Sequence, residues 1–375
     1  MKLAFYAPMK SPDHPVPSGD RRMGRLLWAA LESAGFELEL ASDMRSFDGQ
    51  GDSTFQLSMK RQGEREAAAL IAKWRARPET APKGWFTYHI YHKAPDWIGP
   101  EVCRALDIPY FVAEASHAPK RARGDWQMGY EAAADAISSA RVVFHMTTLD
   151  GACLKPLMLA GNSLVMLPPF LDIEEFLARA MPVDTDNAVI KAGGRLGVRN
   201  LLSVAMMRGG DKLMSYRQLG TALARVTAPD WQLLVIGEGE KRDEVEKALS
   251  PLGSRVVYLG AMTPEKLPAW YDYADLYVWP ACGEAYGMAF LEAEGCGLPV
   301  VAGRIRGVPD VVKDGETGLL TPPDDADAFA WSVDRLLASL PLREKMGRAG
   351  SRFVRTERTR AHAAHLLGTH IRGAL

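Results

Sequence analysis

Short apolar runs alternate with helical stretches from one end of this chain to the other. "KLAFYAP" near the amino terminus reads as a strand, "DRRMGRLLWAALESAGF" as a helix closed at Gly35, and "ELELAS" as a second strand. "GWFTYHIY", "IPYFVAEAS" and "ARVVFHMTT" follow, each strand-like with helical sequence before or after it. This repeat predicts a parallel sheet covered by helices. From about residue 177 the chain turns polar and glycine-containing, in "LARAMPVDTDNAVIKAGGRLGVRN", and loses clean periodicity, which reads as a connection between domains. The pattern then restarts with "LLSVAMM", "WQLLVIGEG", "RVVYLGA", "ADLYVWPA", "LPVVAG" and "GLLTPP", separated by helical segments such as "KRDEVEKALSPLG". The expected fold class is α/β, with two Rossmann-like doubly wound domains facing across a cleft. The expected boundaries are 1–178 for the first domain, 179–199 for the connector, 200–354 for the second domain, and 355–375 for a C-terminal helix that packs back on the first.

Composition narrows the classes. At 375 residues, 47% hydrophobic and 24% charged, the chain is ordinary globular protein with room for two cores. Forty-five basic against forty-six acidic residues leave a formal charge of -1, which supplies no global field for nucleic acid or an anionic membrane. Phosphate binding must therefore be local. Cys103, Cys153, Cys282 and Cys296 form no CxxC pair, so neither a zinc site nor a disulfide framework is expected, and the cytosol is the default compartment. No signal peptide and no run approaching eighteen apolar residues is read from the sequence.

Ligands of open α/β sheets bind outside the carboxyl ends of the strands, so the loops there carry the search. After the first strand, Gly19 precedes a helix whose first turn holds Asp20, Arg21 and Arg22. A glycine there lets backbone amides approach an anion, although an ordinary turn capped by Ser18 or Asp20 has the same sequence. "VIGEGEKRDE" suggests a dinucleotide fingerprint, but Arg242 stands where the third glycine belongs, and nicotinamide chemistry is rejected. The acidic "DTD" at Asp184 to Asp186 reads as solvated connector. His89 and His92, three apart on a strand, would point to opposite faces, which argues against a metal site.

The most informative stretch is "EAYGMAFLEAEGCGLPVV", where Glu284 follows a strand and Glu292 lies on the next helix. Gly287 and Met288 open that helix with amides free to meet a phosphate, and Glu292, a turn deeper, is placed to accept from hydroxyl groups. Two carboxylates beside an anion-binding helix start suit a polyhydroxylated ligand with a diphosphate, such as a nucleotide sugar.

The run "DLYVWPACGEAYGMAFLEAEGCGLPVVAGRIRGVPDVVKDGETGLLTPPDD" closely resembles the C-terminal signature of GT-B glycosyltransferases of family 4, with its E-x7-E motif, "GxPVVA" strand and "DGxTGLL" turn. "WQLLVIGEGEKRDEVE", "VVYLGAMTPEKLPAWYDYADLYVWP" and "PPFLDIEEF" extend the resemblance over roughly the second half of the chain. It implies that Glu292 binds the ribose hydroxyls and Glu284 the donor sugar, that Gly287 and Met288 meet the diphosphate with their backbone amides, that Lys212 neutralises it, and that Ala285 and Tyr286 also bind the donor. "LGAM", ending at Met262, would edge the base pocket, and Gly19 stands at the family's glycine-rich loop. Two positions depart from the pattern. Met206 occupies the place of the usual arginine, with Arg208 two positions later, and His117 falls one or two places after the usual histidine, beside Glu114 and Ser116.

The resemblance implies a retaining, metal-independent hexosyltransferase using a nucleotide-diphosphate sugar, with no cofactor. Catalytic roles fall to Glu284, Lys212, Arg208 and His117. No nucleophile for a covalent intermediate is legible, Glu284 reads as a sugar-positioning group, and the departing phosphate is one candidate for taking the acceptor's proton. Two other readings stay open. One is a nucleotide-sugar-binding protein without turnover. The other is a lipid-directed transferase at the inner membrane face, suggested by "MKRQGEREAAALIAKWRARP", a basic helix whose Trp74 would lie on anionic lipid unless the stretch is simply a solvated face. The acceptor, whether sugar, lipid or small metabolite, is expected to be held by "PVPSGDRR", "TYHIYHKAPDW" and "EASHAPKRARGDW" of the first domain.

Overall fold

Each half of the chain builds one six-stranded, parallel sheet. In the computed structural model, which describes residues 1–16 and 18–375, two compact units form, Met1–Pro168 with Arg360–Leu375 and Pro169–Thr359. Pro17, within "PVPSGDRR", lies outside the described residues. The first unit contains β1 (Lys2–Tyr6), β2 (Glu37–Ser42), β3 (Trp85–Ile90), β4 (Tyr110–Ala115), β5 (Val142–His145) and β6 (Ser163–Met166), in the order β2-β1-β3-β4-β5-β6. The second contains β7 (Arg199–Val204), β8 (Trp231–Ile236), β9 (Val256–Gly260), β10 (Leu276–Trp279), β11 (Val300–Gly303) and β12 (Gly318–Thr321), in the order β12-β11-β10-β7-β8-β9. Helices cover both faces, which is why β8, WQLLVI, is buried at every position instead of alternating. The strand order reverses between β1 and β3 in the first sheet and between β7 and β10 in the second. Those are the switch points at which doubly wound sheets open a crevice.

The structure departs from the sequence expectations in several places. The strand β6, SLVM, is not announced by the sequence: its apolar run is short, lies half-buried at the sheet edge and is cut off by Pro168 and Pro169. The polar stretch 179–199 holds a helix, Thr185–Lys191, and packs with the second unit. Its acidic residues have structural partners: Asp184 accepts from the Asn187 amide at 3.1 Å as a cap, and Asp186 accepts from the Tyr273 hydroxyl at 2.7 Å. Residues 355–357 belong to the unbroken helix Leu340–Glu357 of the second unit, and the chain passes to the first unit at Thr359/Arg360. The helix Arg360–Arg372 is anchored there by Arg372, which donates to the Ala34 carbonyl at 2.8 Å.

Trp74 is not a lipid-facing residue. It is 1% exposed, edge-on to Trp85 at 6.5 Å, so the aromatic side of the helix Ser53–Ala76 is core and the basic residues are its solvated face. Among the described residues no helix is long and apolar enough to cross a membrane.

Candidate functional site

The loops that leave β7 and β10 flank the switch point of the second sheet, and each delivers one member of an ion pair. Lys212 is the second residue of the helix Asp211–Leu223, and Glu284 lies in the loop after β10. The Lys212 Nζ pairs with Glu284 Oε2 and sits 5.6 Å from the ring centre of Trp279, the last residue of β10. Trp279 is held edge-on by Tyr216 at 4.9 Å, and the Tyr216 hydroxyl donates to the Ala205 carbonyl at 2.8 Å. The ammonium is therefore fixed between a carboxylate and an aromatic face, both anchored in the sheet.

The loop from Glu284 to the next helix is shaped by its backbone. Glu284 N–H donates to Ala281 O at 3.0 Å, and Gly307 N–H donates to Ala285 O at 2.9 Å. Gly287 has φ 81° and ψ 89°, and a Cβ there would come within 2.6 Å of the Phe290 ring and 3.2 Å of Glu284 Cγ. Only glycine makes this turn without displacing one or the other. The helix Met288–Gly295 thus begins beside Glu284 with, among the described residues, no side-chain cap on its first amides. Glu292, on the same helix, is 3% exposed, and its Oε2 accepts from the Tyr271 hydroxyl at 2.8 Å. Burial, and then the neighbouring Glu292 charge, hold the Tyr271 phenol well above its ordinary pKa, so it remains a donor.

Lys212, Glu284, Ala285, Tyr286, Gly287, Met288 and Glu292 thus share the loops and helix starts around this one switch point. Arg208 is exposed in the loop 205–210, next to the turn where Gly209 N–H donates to Glu240 Oε1 at 3.3 Å. The Glu240 carboxyl is held below its ordinary range by backbone amides, its own and that of Gly209, with the Arg208 charge adding to them. Met262 is half-buried two residues beyond β9, two strands away from β7. The glycines of "GEGE" answer a different need from phosphate binding. A Cβ on Gly237 or Gly239 would lie 1.9 Å from Ala205 O or 2.2 Å from Met207 O, because the chain beyond β7 keeps pairing with this loop.

Gly19 and His117 belong to the first unit. Gly19 is exposed and opens the helix Gly19–Ser33, with Ser18 accepting from Arg21 N–H at 3.2 Å. His117 Nε2 meets the Tyr130 hydroxyl at 2.8 Å, ring stacked on ring. The polar cluster at the switch point of the first sheet is instead built on His89, whose Nδ1 lies 3.2 Å from Asp20 Oδ1. His89 and Glu114, on adjacent strands, both take left-handed backbone, with φ 61° and 57°. Such residues are sparse and concentrate at functional sites. Burial alone would lower the His89 pKa, but Glu114 and Asp20 hold it above its ordinary value, while burial raises that of Glu114. The period-two argument that sent His89 and His92 to opposite faces fails here, since β3 ends at Ile90 and His89 breaks the pleat. Among the described residues no group of three His, Cys, Asp or Glu is arranged to hold a metal.

Comparison with known proteins bears on the second unit most directly. Residues 200–339 match the family model for Glycosyl transferases group 1. The GDP-mannose-dependent alpha-(1-6)-phosphatidylinositol monomannoside mannosyltransferase of Mycolicibacterium smegmatis is 34% identical over 200 residues, 50% of each chain. The D-inositol 3-phosphate glycosyltransferase of Mycolicibacterium paratuberculosis is 31% identical over 218 residues, 58% of this chain and 42% of that protein. The chain thus spans half or less of the length of these curated relatives. Among solved structures, Anabaena HepE in complex with UDP aligns with a TM-score of 0.74 and 14% identity over 100% of both chains. Sucrose-phosphate synthase from Thermosynechococcus elongatus aligns with a TM-score of 0.71 and 19% identity over 99% of this chain and 98% of that one. At such identities the structural likeness speaks for the fold, and the sequence match for the family. Residues 200–339 thus carry the Glycosyl transferases group 1 match, and the two parallel Rossmann-like sheets have the fold of GT-B structures.

Proposed function

We propose that this protein transfers a hexose from a nucleoside diphosphate sugar to an acceptor hydroxyl, with retention of anomeric configuration and without a metal ion. One observation carries the reading: Lys212 pairs with Glu284 at the switch point of the second sheet, beside an uncapped helix start. In this reading the Lys212 ammonium and the first amides of the helix Met288–Gly295 receive the diphosphate. Glu292 receives the ribose hydroxyls and Glu284 those of the sugar. The bond between the anomeric carbon and the diphosphate oxygen breaks, and its electron pair leaves with the diphosphate. The acceptor oxygen bonds to the same face of that carbon, and its proton passes to a departing phosphate oxygen. Fixed positive charge where the leaving group gains negative charge is the main catalytic term.

The relatives leave the base open, because one is GDP-mannose-dependent and another structure holds UDP. Calorimetry with UDP, GDP and ADP, followed by release of nucleoside diphosphate from the matching hexose donors with water as acceptor, identifies it and separates turnover from binding alone. Glu292→Ala is expected to weaken nucleotide binding by about 1 to 3 kcal/mol, since hydroxyls lose a charged acceptor. Glu284→Ala is expected to reduce turnover more than nucleotide affinity. Unchanged affinity in Glu292→Ala would remove Glu292 from the donor site. Turnover is further expected to persist in EDTA, and a strict requirement for added manganese or magnesium would overturn the metal-free part of the reading.

Arg208 is proposed as the second cation. It replaces the charge that Met206 lacks, and the adjoining Gly209 and Gly210 permit the loop to bring a guanidinium beside Lys212. Arg208→Ala is expected to lower kcat/KM about tenfold to a hundredfold, with Arg208→Lys restoring only part of the loss. Parent-like kinetics in Arg208→Ala would overturn this assignment.

A further inference from the structure

We infer that Tyr271 is a positioning residue that gives the donor site its preference for ribose over 2′-deoxyribose, an inference that rests on the donor site proposed above. Glu292 occupies the fifth position of the helix Met288–Gly295. Side chains on a helix tilt toward its amino terminus, so this one leans over the turn that begins at Gly287. At 3% exposure the carboxylate is removed from water and requires hydrogen-bond donors from the protein. The Tyr271 hydroxyl supplies one to Oε2 at 2.8 Å.

The phenol is itself immobilised. Tyr271 is 1% exposed on the helix Leu267–Tyr273, with the Tyr277 ring 6.1 Å and the Phe176 ring 6.4 Å away. Tyr277 in turn donates to the Val204 carbonyl, at the end of β7, at 3.3 Å. A chain of packed rings therefore runs from the central strand of the sheet to one oxygen of Glu292 and fixes the rotation of its carboxylate. Ribose offers two neighbouring hydroxyls, whereas 2′-deoxyribose offers one. Only a carboxylate held in one orientation rewards the pair over the single hydroxyl, because a freely turning one adapts to either. Tyr271 thus acts through Glu292 and sets specificity without touching the ligand.

The test is calorimetry of the parent and of Tyr271→Phe with UDP, GDP and ADP and with their 2′-deoxy forms. The parent is expected to bind its preferred ribonucleotide about tenfold more tightly than the deoxy form, as the loss of one hydrogen bond to a charged group predicts. In Tyr271→Phe the ribonucleotide is expected to weaken about fivefold while the deoxy form changes less than about twofold, so the preference largely collapses. Phenylalanine keeps the ring and the packing. A Tyr271 that merely fills the core would lower the affinity for both nucleotides together, or only the melting temperature, and an unchanged ratio overturns the inference. Glu292→Gln serves as the second variant. If it abolishes the preference and Tyr271→Phe does not, the positioning role alone fails. If Glu292→Gln keeps the preference, or the parent binds none of the nucleotides, the donor-site reading fails with it.

Discussion

Replacing Lys212 by alanine is expected to lower kcat/KM for donor turnover by about a hundredfold to a thousandfold, equivalent to roughly 2.7 to 4 kcal/mol of transition-state stabilisation. The argument begins with position. Lys212 follows the loop of the central strand β7, and its ammonium is held between Glu284 and the face of Trp279. A cation so held is preorganised for charge that appears on a leaving diphosphate, so little reorganisation opposes its use. Both partners of the pair are partly exposed, at 29% and 21%, so the ion pair adds little to folding and the melting temperature should barely move. Loss of rate without loss of stability is the signature. Lys212→Arg should recover part of the rate, because the charge returns but the guanidinium does not fit the same seat over the indole. Rates for Lys212→Ala within about threefold of the parent would mean that the leaving group is neutralised elsewhere.

The sheets were legible because parallel strands covered on both faces leave apolar runs in the sequence. β8 is buried throughout, and "WQLLVI" could hardly be read otherwise. β6 was not legible because its apolar run is short, half-buried at the sheet edge and cut off by Pro168 and Pro169. Much of the proposed donor corner could also be read as one group, since Glu284, Gly287 and Glu292 lie within one loop and the helix that follows it. What could not be read is what topology brings together. Tyr271 meets Glu292 across two elements, and Lys212 meets Glu284 across 72 positions of sequence. The left-handed backbone of His89 and Glu114 was equally hidden, because non-glycine residues carry no mark of it and strand periodicity assumes its absence. His117, which stands near the position where the resemblance implies a histidine, pairs with Tyr130, whereas the first sheet's switch point is furnished by His89 and Asp20. The glycines of "GEGE" show the converse, a visible motif whose cause is the backbone close to it.

Glu294→Gln is expected to flatten the fall in stability of the second unit between about pH 5 and 8, a change of up to a few kcal/mol. Glu294 shares the helix Met288–Gly295 with Glu292 but is fully buried, with Thr317 Oγ1 donating to its Oε1 at 2.5 Å and, among the described residues, no hydrogen-bond partner for Oε2. Burial pushes its pKa up to about 8 from an ordinary 4.5, and the Thr317 hydrogen bond and the charges of Arg358 and Lys313 offset only part of this. The folded pKa is thus above the unfolded one. Below pH 4.5 the carboxyl is protonated in both states, and its contribution to stability is fully present. As the pH rises toward 8 the unfolded chain gives up this proton while the folded chain retains it, so stability is lost at roughly 1.4 kcal/mol per pH unit until the folded group also ionises. Glutamine keeps the shape and an acceptor for Thr317 but cannot ionise in either state. Urea unfolding at pH 5, 6, 7 and 8 should therefore give a smaller difference between the ends of the series for the variant than for the parent, with the two converging at the acidic end. Parallel pH curves would mean that Glu294 ionises in the folded protein near its ordinary pKa, stabilised by Arg358 and Lys313 after all.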